Sequence, residues 1–303
     1  MFNLRARFLT LGGVLLATTG FAQTLPDNDL YLEDSPEEVV NMTEAEFNDI
    51  VNEIVDHYKP LAEAQGGNLT AENNWADSTV NAYANQSGGE WSIHMFGGLA
   101  RRPEVTKDGF AMVVCHELGH HFGGHYFHKT WWGVSWAACE GQSDYFATHA
   151  CAREVWKDRA FENELAAADV DAAAQDKCDA AWETSEDRNL CYRITMAGKS
   201  LATLLGALSN GTTPPEFDTP DPRKVTQTDT KHPKAQCRLD TYFHGALCGK
   251  QYDSSVIPAK DMGDQANTRE GEEASNGPNA YCSREDQDGI AARPACWFAS
   301  QIK

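Results

Sequence analysis

The chain has 303 residues, 41% of them hydrophobic, enough for one large domain or two small ones with a sizeable core. Its formal charge is −20, which argues against nucleic acid and anionic membrane surfaces as partners. The acidity names no substrate, and a solvated acidic surface accounts for it.

Residues 1–22 read as an export signal. Arg5 and Arg7 form a basic start, Leu9 to Ala17 is an apolar stretch, and Gly20-Phe21-Ala22 is a small-residue cleavage site before Gln23. The apolar part is too short to span a bilayer comfortably, and nothing later is long and apolar enough. No Cys follows the cut to take a lipid anchor. The expectation is an exported protein, periplasmic or secreted, with no stable membrane insertion.

Nine cysteines in such a chain read as disulfides: Cys115, Cys139, Cys151, Cys178, Cys191, Cys237, Cys248, Cys282 and Cys296. Proximity suggests Cys178/Cys191, Cys237/Cys248 and Cys282/Cys296 as local staples. A Cys115–Cys139 bridge would tie together the two segments that carry the metal ligands proposed below. At least one thiol stays unpaired.

Residues 23–42 are acidic, contain Pro26 and Pro36, and look like a loose lead-in. Thr43 with Glu46 makes a capping box. Phe47, Ile50, Val51, Ile54, Val55 and Tyr58 then recur at helical spacing, predicting an amphipathic helix to about Leu61, ended by Gly66-Gly67-Asn68. Residues 78–97 read as extended: Thr79 to Tyr83 is one strand, Ser87-Gly88-Gly89 a turn, and Trp91, Ile93 and Met95 alternate with polar neighbours. This hairpin could offer an edge strand to an extended peptide, or serve only as structure.

Phe110 to Cys115 predict a buried helix running into His116-Glu117-Leu118-Gly119-His120. This stretch has the form H-E-x-x-H. Positions four apart share a helix face, so His116 and His120 can address one metal ion while Glu117 holds a water beside it. Two helical histidines that happen to flank a Glu are the plain alternative. Ser135 to Ala147 reads as a second helix. Glu140 supplies the third ligand of a zinc site with an open fourth position. Asp144, one turn on, suits the other ring N–H of a ligand histidine. A solvated acidic pair is the alternative, but Trp136, Ala137, Ala138, Tyr145, Phe146 and Ala147 surround both carboxylates with apolar or small groups.

Residues 144–209 read as mostly helical. Ile194, Leu201, Leu204, Leu205 and Leu208 make a buried face, stopped by Asn210-Gly211. Residues 211–231 read as a long loop and Leu239 to Leu247 as a short helix. From Asp253 the chain is polar and turn-rich.

Several stretches together resemble the gluzincin metallopeptidases related to the CaaX prenyl endopeptidase and the bacterial HtpX-type peptidases. Val80-Asn81-Ala82-Tyr83 is similar to that family's V-N-A-F strand. His116-Glu117-Leu118-Gly119-His120 followed by His125 is similar to H-E-x-x-H-x-x-x-x-H. Glu140-x-x-x-Asp144 follows, and then His232-Pro233 with Arg238, like H-P-x-x-x-x-R. These matches span about residues 45–245.

The resemblance implies a zincin-like α+β fold, mainly helical, with a small antiparallel sheet. It implies one Zn2+ per chain on His116, His120 and Glu140, with Glu117 as general base. His232 would stabilise an oxyanion, Arg238 would organise the site, and Asn81, Ala82, Trp91 and Ile93 would line the substrate. The chain departs from the family in its short His120–Glu140 interval, its cysteines, and a loop from Phe127 to Trp136 carrying Trp131, Trp132 and Trp136. The metzincin pattern fails, because its third histidine would fall at Tyr126.

The domains expected are the signal, the 23–42 lead-in, a peptidase domain over 43–252, and a Cys-containing extension over 253–303 packed on it. The expected function is a zinc endopeptidase acting on protein or peptide. Two rivals remain: a client-binding, chaperone-like protein with weak catalysis, and a purely structural zinc site drawing a fourth ligand from His121, His125 or Cys139. His121, about 100 degrees around the helix from His120, suits that role poorly.

Overall fold

Helices begin where the sequence supplies caps. In the computed structural model, which describes residues 22–26, 28–33, 41–131, 133–208, 213–276, 281–283 and 288–300, the capping box closes as expected. Thr43 accepts from the Glu46 amide at 3.3 Å, and Glu46 accepts from the Thr43 amide at 2.8 Å. The expected signal up to Phe21, the Asn210-Gly211 stop and Trp132 lie outside the described residues.

The elements run β1 (Ala22–Gln23), α1 (Glu44–Ala64), β2 (Asn68–Asn74), β3 (Ala82–Ser87), β4 (Glu90–Phe96), α2 (Gly97–Ala100) and α3 (Lys107–Phe122). Then come β5 (Phe127–Thr130), β6 (Gly133–Ala138) and α4 (Glu140–Phe146), which continues through a wider π-turn to α5 (Arg153–Trp156). The rest is α6 (Ala160–Ala166), α7 (Ala172–Ala181), α8 (Ser185–Leu208), α9 (Ala235–Leu247) and α10 (Arg269–Asn276). The architecture is α+β and mainly helical.

The larger sheet has the order β1-β3-β4-β2, and it is mixed rather than antiparallel. The strand β2 lies parallel to β4 and begins at Asn68, the last residue of the stretch read as a helix stop. Its sequence, Asn-Leu-Thr-Ala-Glu-Asn-Asn, has little apolar alternation, so only its pairing reveals it. The expected alternation on β4 holds, with Trp91, Ile93 and Met95 buried and their neighbours half-exposed. The strand β4 is central, paired on both sides, so it offers no free edge and Trp91 and Ile93 face the core. The strand β3 lies between β4 and the two-residue β1. The lead-in is not loose where described: Leu32 donates its amide to Ser78, and Tyr31 bridges Thr79.

From Gly109 to Phe122, α3 is buried on every face, which is why it reads as apolar all round. Against it, Phe47 of α1 stacks on Phe110 at 4.9 Å and Tyr58 on Phe122 at 5.1 Å. The helix α8 packs on another side, with Ile194, Leu201 and Leu204 fully buried.

Two expected elements differ. Phe127–Thr130 and Gly133–Ala138 pair as β5 and β6 instead of forming a loop leading into a helix, and α4 starts only at Glu140. Small residues such as Ala137 and Ala138 suit either state, and pairing of Ala138 with Phe127 decides it. The disulfides are Cys115–Cys151, Cys178–Cys191, Cys237–Cys296 and Cys248–Cys282, with Cys139 free and buried. Only the Cys178–Cys191 staple matches the proximity reading. Cys237 and Cys248 cap the two ends of α9 and each reach into the C-terminal segment, while the wide turn after α4 brings Cys151, not Cys139, to Cys115.

The C-terminal segment wraps the α3–α4 junction. Arg293 donates to Gln142 at 2.8 Å and to the His125 carbonyl at 3.0 Å, and Tyr281 donates to the Gly123 carbonyl at 2.7 Å.

Candidate metal centre

The two histidines of α3 stand one turn apart, with ring centres 4.8 Å apart and planes at 86°. Helix α4 crosses them closely because α3 carries Gly119 there. A Cβ at that position would lie 2.8 Å from the Ser143 Cα and carbonyl oxygen. That approach brings Glu140 within 3.3 Å of His116 Nε2 and 3.8 Å of His120 Nε2. Ligand atoms of His116, His120 and Glu140 all lie within 4.8 Å of one another, and the three residues could hold a metal ion.

The second ring nitrogen of each histidine is spoken for. His116 Nδ1 lies 2.8 Å from Asp144 Oδ1, the partner expected for it. His120 Nδ1 donates to the Ala138 carbonyl at 2.8 Å, with Ser143 Oγ at 3.0 Å. The β5–β6 hairpin therefore fixes the aim of one imidazole, and α4 fixes the other. Both leave Nε2 turned inward as a lone-pair donor.

His116 Nε2, His120 Nε2, Glu140 Oε2 and Glu117 Oε2 are all buried without a hydrogen-bond partner among the described residues. Buried polar atoms are normally satisfied, so four converging orphans fit a cation and a polar ligand of that cation. Two imidazoles and a carboxylate are the donor set of a three-ligand zinc site.

Electrostatics follow from burial and neighbours. For His116, burial alone would lower the pKa, but the Asp144 carboxylate beside it raises it to about 9. His120, buried without such a partner, is pushed down to about 3 against the pull of Glu140. Burial opposes ionisation of Glu140, yet the surrounding imidazoles, His120 foremost, hold its carboxyl well below the usual range. Burial lifts Glu117 to about 8, against the opposing pull of His116 and the Thr24 hydroxyl. A dication at the cluster would favour the carboxylate of Glu117.

Asp144 is held by more than the histidine. Arg238 grips it with two bonds, Nε to Oδ2 at 2.7 Å and Nη2 to Oδ1 at 2.6 Å, and the Tyr242 hydroxyl donates to Oδ1 at 2.6 Å. Arg238 and Asp144 are fully buried, and Arg238 together with His116 keeps Asp144 ionised despite burial. His232 comes to the cluster, with Nε2 3.5 Å from Glu140 Oε2 and 2.8 Å from the Gln23 carbonyl.

None of the three candidates for a fourth ligand joins the His116, His120 and Glu140 group among the described residues. His121 lies between Trp91 and Trp136 and donates to the Ser92 carbonyl at 3.2 Å. His125 Nδ1 meets the Ala266 carbonyl at 3.2 Å, and burial raises the Cys139 thiol to about 12.

Asn81 and Ala82, at the start of β3, bind the N-terminal segment. Trp91 lines a separate cavity of about 740 Å³ with His121, Trp136 and Lys260. Sequence reasoning missed Tyr242, His128 and Thr24. His128 Nε2 stands 3.9 Å from Glu140, and the Thr24 hydroxyl donates to Glu117. Tyr242 sits one helical turn after Arg238, a spacing that could have marked it. Nothing in the local sequence marks Thr24.

No family model, curated protein or solved structure matches this chain.

Proposed function

We propose that this chain is an exported zinc endopeptidase that resembles the gluzincins, with His116, His120 and Glu140 as ligands. The observation that carries the reading is the convergence of four buried, unpartnered donor atoms beside a Glu at the second position of H-E-x-x-H. Four disulfides support export, since they persist in oxidising compartments.

A zinc ion held by His116, His120 and Glu140 would supply a Lewis acid able to lower the pKa of water to about 7. The chain's residues do the rest. Glu117 accepts a proton from the attacking water and delivers it to the leaving amine. His232 donates to the oxygen on which negative charge develops. Asp144 fixes the His116 tautomer, and Arg238 with Tyr242 fixes Asp144. The outer edge of β3 holds the substrate extended by main-chain bonds.

The test is metal content after dialysis against zinc. Wild type retains one ion per chain, and Glu140→Ala loses both the ion and peptide hydrolysis. Unchanged metal in that variant contradicts the ligand assignment.

A further inference from the structure

The segment Ala22–Leu25 lies in the groove between β3 and α9, directly over the metal cluster. It pairs antiparallel with β3, Ala22 opposite Ala84 and Gln23 opposite Tyr83. The Thr24 amide donates to the Ala82 carbonyl at 3.1 Å. Asn81 clasps Leu25 from both sides: its Oδ1 accepts the Leu25 amide at 3.2 Å, and its Nδ2 donates to the Leu25 carbonyl at 3.3 Å. The Thr24 carbonyl accepts from Arg238 Nη1 at 2.5 Å, and the Gln23 carbonyl from His232 Nε2 at 2.8 Å. Thr24 is 0% exposed and Leu25 1%.

These contacts have the form of peptide recognition. Almost all are made to main-chain atoms, as when an extended peptide adds a strand to a sheet edge. Side-chain selection comes at two points. Thr24, fully buried, donates its hydroxyl to Glu117, and Leu25 enters the apolar core. The Gln23 carbonyl faces His232, where a substrate's reacting carbonyl would stand.

We infer that this groove is a binding site for an extended peptide with a small residue followed by an apolar one, and that the mature chain fills it with its own Gln23–Leu25. The occupied groove is closed to substrate on two counts. The β3 edge is already paired, and Glu117 is engaged by Thr24. A tethered segment competes at an effective concentration on the order of mM, so an outside peptide enters only when the segment is displaced. The catalytic consequence rests on the peptidase reading, whereas the occupancy does not.

The experiment uses the purified protein with a specific protease site inserted between Glu33 and Asn41, before and after cutting. The probe is a fluorescein-labelled synthetic peptide of residues 23–33, followed by anisotropy, with casein cleavage measured in parallel. The cut protein is expected to exchange its segment for the probe saturably and to cleave casein about tenfold faster or more, as removal of a dominant closed population requires. The uncut protein should not take up the probe and should cleave only at the slower basal rate. Thr24→Pro removes the amide bound to Ala82 and the hydroxyl on Glu117, and should give the same gain in probe binding without a cut. Probe binding by the cut form without any cleavage supports the occupied groove and overturns the peptidase reading. No probe binding by either opened form, or equal binding by the uncut wild type, overturns the inference.

Discussion

Asp144 shows how far one buried carboxylate can organise a site. It touches His116, Arg238 and Tyr242 at once, and all four side chains are buried. Asp144→Asn keeps the shape but leaves the Arg238 cation without its counter-charge. Breaking a buried pair in this way costs about 3–5 kcal/mol. Loss of the histidine's partner weakens metal binding roughly 10–100-fold. Denaturant unfolding of the chelated protein and chelator competition measure the two effects separately. Unaltered values in both would deny Asp144 its role. A second residue-scale effect concerns acid. The His244 ring donates to the Ala292 carbonyl at 2.7 Å, and burial pushes its pKa down to about 4. Its unfolded value is about 6.5, so folding favours the neutral ring. That contribution is whole above pH 6.5 and is lost as pH falls toward 4. The thermal midpoint of the chelated protein should therefore drop over this window, and His244→Gln should drop less. Parallel acid profiles of the two proteins would refute the assignment. At this scale H-E-x-x-H, Glu140 and Asp144 were legible, because ligand chemistry and helical spacing are local. Thr24 was not, since it meets Glu117 across 93 residues of sequence.

The helices explain why the ligands converge. α3 and α4 can touch because Gly119 lacks a side chain where α4 crosses it. Gly119→Ala gains about 1 kcal/mol in helix propensity. Against that, the new Cβ would meet backbone atoms of Ser143 at 2.8 Å, and backbone cannot step aside as a side-chain tip can. Overpacking of this kind costs about 1–3 kcal/mol. The net expectation is lower stability together with weaker metal binding, because α4 carries Glu140 away from the histidines. Stability and zinc affinity unchanged in Gly119→Ala would show that the approach is not needed. Periodic elements such as α1 and β4 were readable from their apolar spacing. β2 and β6 were not, because β2 is mostly polar, β6 ends in the small pair Ala137-Ala138 that suits a helix as well, and the state of both is decided by a partner strand.

Over the whole molecule, distant segments are tied around the cluster. Cys115–Cys151 joins α3 to the turn after α4, Cys237–Cys296 and Cys248–Cys282 bind α9 to the C-terminal segment, and β1 closes the groove from the opposite end of the chain. These pairings were beyond the sequence because nearness along the chain is not nearness in space. The central claim is that the cluster hydrolyses peptide bonds, with Glu117 as the base. It is tested most directly by cleavage of reduced casein, with wild type and Glu117→Gln side by side, with and without a zinc chelator. Both proteins carry the cut protease site, so that the groove is open, and both are assayed for bound metal. The account predicts that Glu117→Gln keeps its zinc and loses about 10²–10⁴-fold in rate. It also predicts that the chelator abolishes cleavage by wild type. Full activity in the zinc-loaded Glu117→Gln variant, or no cleavage by zinc-loaded wild type with its groove open, would contradict it.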